Sequence, residues 1–220
     1  ASDSEDARKV ASKLDIPYYV LDYTESFSKN VVDNFTQMYA QGLTPNPCVE
    51  CNRSVKFDHF ITQAKKLNCD KVATGHYAKI IKKNNEFELH KADYLDKDQS
   101  YVLHMLKSSD LENISFPLGE ISKPEVRQIA ARIGLKTAFK KDSQDICFVG
   151  KKDYRSFVEK RIDLTSPGEI FDIEGNKVGD HNGIHEFTVG QRKGLPGGYG
   201  TPRYVTKINV QNKNVTIGEK

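Results

Sequence analysis

The residues best suited to covalent chemistry are two cysteines, Cys48 and Cys51, in the stretch TPNPCVECN. Pro45 and Pro47 favour an extended loop over a helix at this point. A structural zinc site usually needs four Cys or His ligands, and the chain offers no matching second pair, so the spacing argues against zinc. A redox pair, a sulfur carrier and two loop cysteines without a role all stay open at this point.

A third cysteine, Cys147, lies in KKDSQDICFVG, after Lys140 and Lys141. Nearby ammonium groups favour the thiolate, which is the reactive form of cysteine. Two such cysteines that meet in the fold could exchange sulfur, one as a persulfide and the other closing a disulfide when the sulfur leaves. Three cysteines could equally hold an iron–sulfur cluster. The fourth, Cys69, precedes an apolar strand and fits a packed small residue.

Two polar stretches lie where a purely structural element would not need them. Gly75 and His76 end a predicted parallel strand in VATGHYAK, and open α/β sheets bind ligands at that end of their strands. The stretch DKDQSY offers Lys97, Asp98 and Gln99 to a base edge or a phosphate. A structural histidine and a solvated helix start are the alternatives.

A glycine-rich stretch, TVGQRKGLPGGYG, combines Arg192 and Lys193 with five glycines. Exposed backbone amides and cations in such a loop could approach a phosphate backbone closely. The alternative is a hairpin turn with exposed charge.

The composition is that of an ordinary globular chain of 220 residues, with 37% hydrophobic residues, 29% charged residues and a net charge of +3. This charge permits a nucleic-acid partner without requiring one. No apolar stretch approaches the roughly 18 residues needed to cross a bilayer. The N-terminal ASDSEDARKV has no signal-peptide core. We therefore expect a soluble, cytoplasmic protein without a membrane partner.

Helices and short apolar strands alternate in the first part of the chain. The stretches SDSEDARKVASKL, ESFSKNVVDNFTQMYAQG and VKFDHFITQAKKLN predict helices, whereas YYVL and DKVATGH predict strands. This alternation predicts a parallel α/β sheet with crossover connections. A hairpin is expected around Asn84 and Asn85, and a helix capped by Ser122 follows it.

From about residue 151 onward the pattern changes to one helix followed by short strands and many turns. We therefore expect two domains, an α/β domain over residues 1–150 and a small β-rich domain over residues 151–220.

Six segments occur in an order and spacing that identify a family. They are TPNPCVECNRSVKF, ATGHYA, KDQSYVL, FPLGEISKPEVRQIA, KKDSQDICFVG and FTVGQRKGL. Together they resemble the tRNA-specific 2-thiouridylases, formerly called tRNA (5-methylaminomethyl-2-thiouridylate) methyltransferases. The resemblance implies an incomplete adenine-nucleotide α-hydrolase-like (PP-loop ATP pyrophosphatase) parallel sheet with helices, followed by a small β-rich domain that contacts tRNA.

The same resemblance implies an enzyme that replaces the 2-oxygen of the wobble uridine in the tRNAs for Lys, Glu and Gln with sulfur. ATP, together with Mg²⁺, adenylates that oxygen and releases pyrophosphate. A sulfur-relay protein or a cysteine desulfurase supplies a persulfide. By motif match, Cys147 carries the persulfide and Cys51 attacks it, which frees sulfide or closes a Cys51–Cys147 disulfide.

The other site residues are also implied by motif match. Asn46, Pro47 and Cys48 are expected to line the target base, and Gly75 is expected to contact the nucleotide. The residues expected to contact tRNA are His76, Lys97, Asp98, Gln99, Gln191, Arg192 and Lys193.

The chain departs from the family pattern in two ways. Position 48 is an aspartate in some members, so a carboxylate role is lost, and a [4Fe–4S] cluster on Cys48, Cys51 and Cys147 becomes an alternative. The family's S-G-G-x-D-S loop, whose amides hold the ATP pyrophosphate, and its C-terminal β-barrel are outside these residues. We therefore expect a fragment that binds ATP poorly, and a tRNA-binding fragment without catalysis is the second hypothesis.

Overall fold

The computed structural model describes residues 2–140, 142, 145–150, 153–163 and 166–219. The chain divides into two compact units. The N-terminal unit contains residues 1–27 and 48–144, and the C-terminal unit contains residues 28–47 and 145–220. The contacts therefore group residues 28–47 with the C-terminal part of the chain, which a division at residue 150 does not anticipate. The linear division itself stays a prediction.

The helices and strands of the described residues are as follows. The α-helices are α1 (Ser2–Leu14), α2 (Thr24–Phe27), α3 (Asn34–Ala40), α4 (Pro47–Glu50), α5 (Asp58–Lys66), α6 (Ser108–Leu111), α7 (Lys123–Arg132) and α8 (Tyr154–Glu159). The strands are β1 (Val72–Ala73), β2 (Ala78–Lys83), β3 (Glu86–Lys91), β4 (Ile114–Ser115), β5 (Gly168–Phe171), β6 (Lys177–His181), β7 (Tyr204–Asn209) and β8 (Asn214–Gly218). Wide π-helical turns cover Ser28–Asp33 and Cys51–Phe57. Within these ranges no helix is both long and apolar enough to cross a bilayer.

A short parallel pair of strands organises the N-terminal unit. Strands β1 and β4 pair in parallel, with Val72 opposite Ile114. The chain between them forms the antiparallel hairpin β2–β3, and its turn lies at Asn84 and Asn85, with φ angles of 49° and 67°. Asparagine tolerates this left-handed conformation better than most residues, so the hairpin forms where the sequence predicts it. The parallel pair with its helices confirms the expected α/β class.

The hydrophobic core of the N-terminal unit joins segments that are far apart in sequence. Val49 and Ile61 pack against it from the cysteine-bearing part of the chain. Burying each large apolar side chain contributes about 1.5–3 kcal/mol to folding. The buried members of this core are Phe57, Ala78, Val102, Leu103, Ile114 and Phe116.

Helix α7 begins and ends as its sequence predicts. The Ser122 hydroxyl accepts a hydrogen bond from the Glu125 backbone amide, and the Glu125 carboxylate accepts one from the Ser122 amide at 2.9 Å. This capping box is worth about 1 kcal/mol. Pro124 stands in the first turn, and Gly134 follows the helix with a φ of 70°.

The predicted strand YYVL is wrong. Residues 18–21 form no strand, and Tyr19, Val20 and Leu21 are 66%, 71% and 44% exposed. A strand requires a neighbour that satisfies its backbone amides and carbonyls. No strand in the described ranges pairs with this segment, so its apolar composition is not sufficient to form one.

A four-stranded sheet dominates the C-terminal unit and confirms the expected small β-rich domain. Its strand order is β6-β5-β8-β7, with β5 and β8 parallel and the other pairs antiparallel. Helices α3 and α8 contribute a second cluster around Phe35, Tyr39 and Val158. The core of the sheet consists of Ile170, Phe187, Val205, Val215 and Ile217.

Candidate functional site

The segment that carries Cys48 and Cys51 is helical and not extended, which corrects the prediction made from its prolines. Pro47 is the first residue of α4, a position at which its missing amide costs no hydrogen bond. The π-helical turn follows directly from Cys51. We call Pro47–Glu50 and Cys51–Phe57 the cysteine turn. In it Cys48 is exposed and Cys51 is half-buried.

The residue after Cys51 anchors the cysteine turn. Asn52 is 2% exposed, and its Nδ2 donates a hydrogen bond of 3.1 Å to the backbone carbonyl of Val102. Its Oδ1 is buried without a hydrogen-bond partner among the described residues. Val102 closely follows Lys97–Gln99 in the chain, so this bond joins two of the predicted site segments. Asn52 is not predictable as a site residue from the motifs, although it stands next to the CxxC pair.

Gly75 lies just beyond the carboxyl end of β1, as expected, and is exposed. A Cβ added at Gly75 would have only Leu118 within 4 Å, at 3.7 Å. Packing therefore does not require glycine here. The absence of a side chain leaves the end of the strand open to a ligand, which fits the nucleotide contact expected at this position.

His76 is packed against aromatic rings. Its ring centroid lies 6.0 Å from that of Phe57 and 5.9 Å from that of Phe116, and its Nδ1 is 2.7 Å from the Thr74 hydroxyl. Burial, with a smaller contribution from the charge of Lys56, lowers the pKa of His76 from 6.5 to about 4. The imidazole is therefore neutral near pH 7, and any contact it makes with RNA is a hydrogen bond and not an ion pair.

Two of the three residues in the stretch DKDQSY that were expected to face tRNA also build the fold. The Asp98 carboxylate accepts hydrogen bonds from the Ala92 amide at 2.9 Å and from the Ser100 hydroxyl at 2.7 Å. Burial raises its pKa, but these hydrogen bonds outweigh that effect and lower it. Gln99 clamps Tyr77, since its Oε1 accepts from the Tyr77 amide at 3.1 Å and its own amide donates to the Tyr77 carbonyl at 2.8 Å.

Lys97 belongs to a cluster of cations that the sequence analysis did not anticipate. Its Nζ lies 3.1 Å from the carboxylate of Asp142, which also pairs with Lys123 and Arg127. The ammonium groups of Lys123 and Lys97 lower the pKa of Asp142 below its usual value. Asp142 is part of the KKDSQDICFVG motif, but its ion-pair partners are distant in sequence, so no local pattern reveals them.

In the C-terminal unit, Cys147 is an exposed thiol on a turn held by apolar neighbours. The amides of Val149 and Gly150 both donate to the Ile146 carbonyl, at 3.1 and 3.2 Å. The Phe148 ring meets Phe35 edge-on, with centroids 5.2 Å apart. The partly buried residues on either side of Cys147 therefore fix the turn while the thiol remains accessible.

The expected effect of lysines on Cys147 stays a prediction. The ammonium of Lys140 is engaged with the carboxylates of Asp3 and Asp6, at 2.6 and 2.8 Å. Lys141 lies outside the described residues. Cys69, expected to be packed, is instead exposed, because it stands in the turn after α5 and not inside the strand that follows.

The loop that carries Gln191, Arg192 and Lys193 is braced by its own glutamine. Gln191 Oε1 accepts from the Thr188 amide at 3.0 Å, and Gln191 Nε2 donates to the Lys193 carbonyl at 3.0 Å. The Gln191 carbonyl also accepts from the Val205 amide on β7. Arg192 and Lys193 are exposed on this loop, so they remain accessible to a partner, while Gln191 shapes the loop.

Two further predicted residues lie at the start of the cysteine turn: Asn46 is exposed, and Pro47 is buried.

The [4Fe–4S] alternative requires three ligands close together. Among the described residues, no group of three or more His, Cys, Asp or Glu side chains is arranged to hold a metal ion. That alternative therefore rests on the sequence alone.

The N-terminal unit thus joins three of the predicted segments. Asn52 of the cysteine turn bonds to Val102, which closely follows Lys97–Gln99, and Tyr77, which follows Gly75–His76, bonds to Gln99. The sequence of the chain matches two family models. The tRNA methyl transferase HUP domain matches residues 1–151, and the tRNA methyl transferase PRC-barrel domain matches residues 155–219. The chain belongs to this family.

Two similar curated proteins carry the name tRNA-specific 2-thiouridylase MnmA. The protein from Rickettsia prowazekii (strain Madrid E) is 47% identical over 219 residues, which cover 99% of this chain and 61% of the relative. The protein from Chloroflexus aurantiacus (strain ATCC 29366 / DSM 635 / J-10-fl) is 46% identical over 214 residues, 96% of this chain and 60% of the relative. The family resemblance predicted from the six motifs is confirmed, and the chain spans about three fifths of the length of these relatives.

Proposed function

We propose that this protein takes part in the ATP-dependent 2-thiolation of the wobble uridine in the tRNAs for Lys, Glu and Gln. Membership of the family and the names of its relatives support this function. The observation that carries it is the meeting of the cysteine turn, Gly75–His76 and Lys97–Gln99 within one unit. This arrangement supports the proposal because a thiol, an open strand end and a cation belong to segments that are linked by hydrogen bonds within one unit.

Cys147 and Cys51 are assigned different parts in sulfur transfer. The terminal sulfur of a Cys147 persulfide attacks C2 of the adenylated uridine, and AMP leaves with the former 2-oxygen. The Cys51 thiolate then attacks the remaining Cys147 sulfur, breaking the bond to the transferred sulfur and closing a Cys51–Cys147 disulfide. Two electrons from an external thiol reductant restore both thiols. The exposure of Cys147 suits a group that a sulfur-relay protein or cysteine desulfurase must load.

ATP is the cofactor that this family's nucleotide-binding fold implies, and Mg²⁺ would accompany its phosphates. When bound, ATP supplies the adenylyl group that turns the uridine oxygen into a leaving group. Gly75 would hold the nucleotide by leaving its backbone accessible at the end of β1. Asn46, Pro47 and Cys48 would line the target base.

The tRNA-contacting residues divide by role in this proposal. Lys97, Arg192 and Lys193 supply accessible cations for the phosphate backbone, and His76 supplies a neutral hydrogen-bonding group. Asp98, Gln99 and Gln191 act mainly by holding these segments in shape, since their side chains already bond within the protein.

The deciding experiment measures transfer of ³⁵S from a persulfide donor to tRNA(Lys) by the full-length protein. Cys51→Ser and Cys147→Ser should each abolish transfer, because each thiol makes or breaks a sulfur bond. Cys69→Ser is the matched control, an exposed cysteine outside the motifs, and should transfer normally. Full activity in both Cys51→Ser and Cys147→Ser would exclude the persulfide route.

Two further measurements separate the alternatives. Anaerobic purification followed by iron and sulfide analysis tests the [4Fe–4S] alternative, which would show a broad absorption near about 400 nm that Cys48→Ser removes. The second measurement compares tRNA binding with sulfur transfer under conditions in which a known tRNA 2-thiouridylase is active. Binding of tRNA without any sulfur transfer would support the tRNA-binding hypothesis and contradict the enzyme hypothesis.

A further inference from the structure

Three cations in the N-terminal unit converge on one carboxylate. Lys123 Nζ lies 2.9 Å from Asp142 Oδ1, Lys97 Nζ lies 3.1 Å from Oδ2, and Arg127 Nη2 lies 3.7 Å from Oδ1. Asp142 is the one acidic ion-pair partner that these cations have within the described residues. The cluster therefore keeps an excess of positive charge.

A second observation at the same place points to a ligand. Tyr77 is 5% exposed, and its hydroxyl is buried without a hydrogen-bond partner in the described part of the chain. Lys123 Nζ lies over the Tyr77 ring, 5.8 Å from its centroid. A buried hydroxyl without a partner is destabilising, so its retention points to a group that binds there.

The chemistry of the cluster matches a phosphate group. Lysine and arginine side chains surround the two carboxylate oxygens in the way that proteins surround two oxygens of a phosphate. A tyrosine hydroxyl can donate a hydrogen bond to a third phosphate oxygen. The side chains of Lys97, Lys123 and Arg127 are 39%, 27% and 36% exposed, so a polyanion can reach them from solvent. Asp142 is 30% exposed and lies outside the described helices and strands.

We propose that Lys97, Lys123, Arg127 and Tyr77 form a binding site for a backbone phosphate of tRNA, and that Asp142 occupies this site until tRNA displaces it. The inference rests on the proposed function, because tRNA is the source of the phosphodiester. It adds Lys123, Arg127 and Tyr77 to the tRNA-contacting residues and makes Asp142 an internal competitor. A free phosphate or the phosphates of a nucleotide share this chemistry and are distinguished by the test.

The decisive variants change tRNA affinity in opposite directions. Asp142→Asn removes the competitor, so the full-length protein should bind tRNA(Lys) several-fold more tightly. Lys123→Gln and Arg127→Gln should each weaken binding and lower the slope of log affinity against log salt by about 1, because each removes one phosphate contact. If Asp142 only neutralises the cations, Asp142→Asn lowers thermal stability without tightening binding, and the inference is overturned.

Tyr77→Phe separates a binding role of the hydroxyl from a structural one, because the two roles predict different effects on tRNA affinity and on the melting temperature. The hydroxyl has no partner among the residues that the structure describes, so its removal should leave the melting temperature unchanged or raise it. Binding of tRNA should nevertheless weaken, because a donor to the phosphate is lost. Unchanged affinity in Tyr77→Phe together with unchanged affinity in Lys123→Gln overturns the site.

The control and the other phosphate sources complete the test. Lys83→Gln removes an exposed lysine of the same unit outside the cluster, and a loss equal to that of Lys123→Gln would show a general charge effect. If Lys123→Gln weakens ATP or pyrophosphate binding but not tRNA binding, the phosphate comes from the nucleotide and the tRNA assignment is wrong. If the unaltered protein binds no tRNA, the proposed function fails; if it binds tRNA but no variant changes the affinity, only this inference fails.

Discussion

The two cysteines assigned to sulfur transfer are held in contrasting ways. Cys51 is half-buried in a helical turn whose next residue, Asn52, is tied to the core by a hydrogen bond. Cys147 is exposed on a non-helical turn that is fixed by apolar packing of its neighbours Ile146 and Phe148. The contrast suits the proposed parts: a thiol that must be loaded by another protein is accessible, and a thiol that must attack in one direction is fixed by directional bonds.

The largest effect is expected where apolar packing holds the turn. Phe148→Ala should lower the free energy of unfolding by about 2 kcal/mol, less than for a fully buried phenylalanine, because the ring is only partly buried. The measurement is denaturant unfolding monitored by tyrosine fluorescence. Phe139→Ala is the control, since Phe139 is 76% exposed, and it should change little. Equal stabilities of the two variants would show that packing does not fix the Cys147 turn.

A smaller effect is expected at the hydrogen bond beside Cys51. Asn52→Ala should cost about 1 kcal/mol, because it breaks one hydrogen bond to Val102 but also removes a buried oxygen without a partner. The measurement that tests a local anchor is the rate at which iodoacetamide alkylates each cysteine. Cys51 should react faster in the variant, and Cys48 should react at its former rate. Equal acceleration at both cysteines would indicate general loosening and would contradict a local anchor.

The pKa of His76 tests whether its imidazole, which packs against Phe57 of the cysteine turn, is shielded from water as its packing indicates. An NMR titration of the imidazole should give a value of about 4. The unfolded chain binds this proton near pH 6.5 and the folded chain only near pH 4, so this histidine makes the protein less stable as the pH falls through that window and has no such effect above it. An ordinary pKa near 6.5 would show that water reaches the ring freely.

The smallest effect concerns the charge beside that histidine. Lys56→Gln should raise the pKa of His76 slightly, since the lysine charge is the lesser of the two causes that lower it. A shift back to the ordinary value would mean that charge and not burial controls His76. The same titration measures both proteins, and the difference between them isolates the contribution of Lys56.

The local elements were predictable from sequence where neighbouring residues decide them. Ser122 and Glu125 cap α7, and Asn84 and Asn85 turn the hairpin, because these residues satisfy backbone groups or adopt a left-handed conformation on their own. The YYVL stretch failed for the opposite reason. Its apolar residues favour a strand, but a strand depends on a partner that local sequence does not name.

The candidate site likewise contains residues that the motifs predict and residues that only the tertiary packing reveals. The motifs predicted Cys51, Cys147 and the stretches around Gly75 and Lys97 as parts of the site, and these assignments stay predictions. Asn52 was missed because an asparagine after two cysteines is not distinctive until its burial is known.

What the sequence alone determined is the chemistry that is present: the thiols, the cations, the helix caps, the turns and the family. What only the tertiary structure decided is which of these groups are already engaged. Asp98, Gln99 and Gln191 turned out to bond inside the protein, while Lys97, Lys123 and Arg127 turned out to share Asp142. The physical reason is that a hydrogen bond or an ion pair depends on distances between atoms, and residues far apart in the chain acquire those distances only when the core forms.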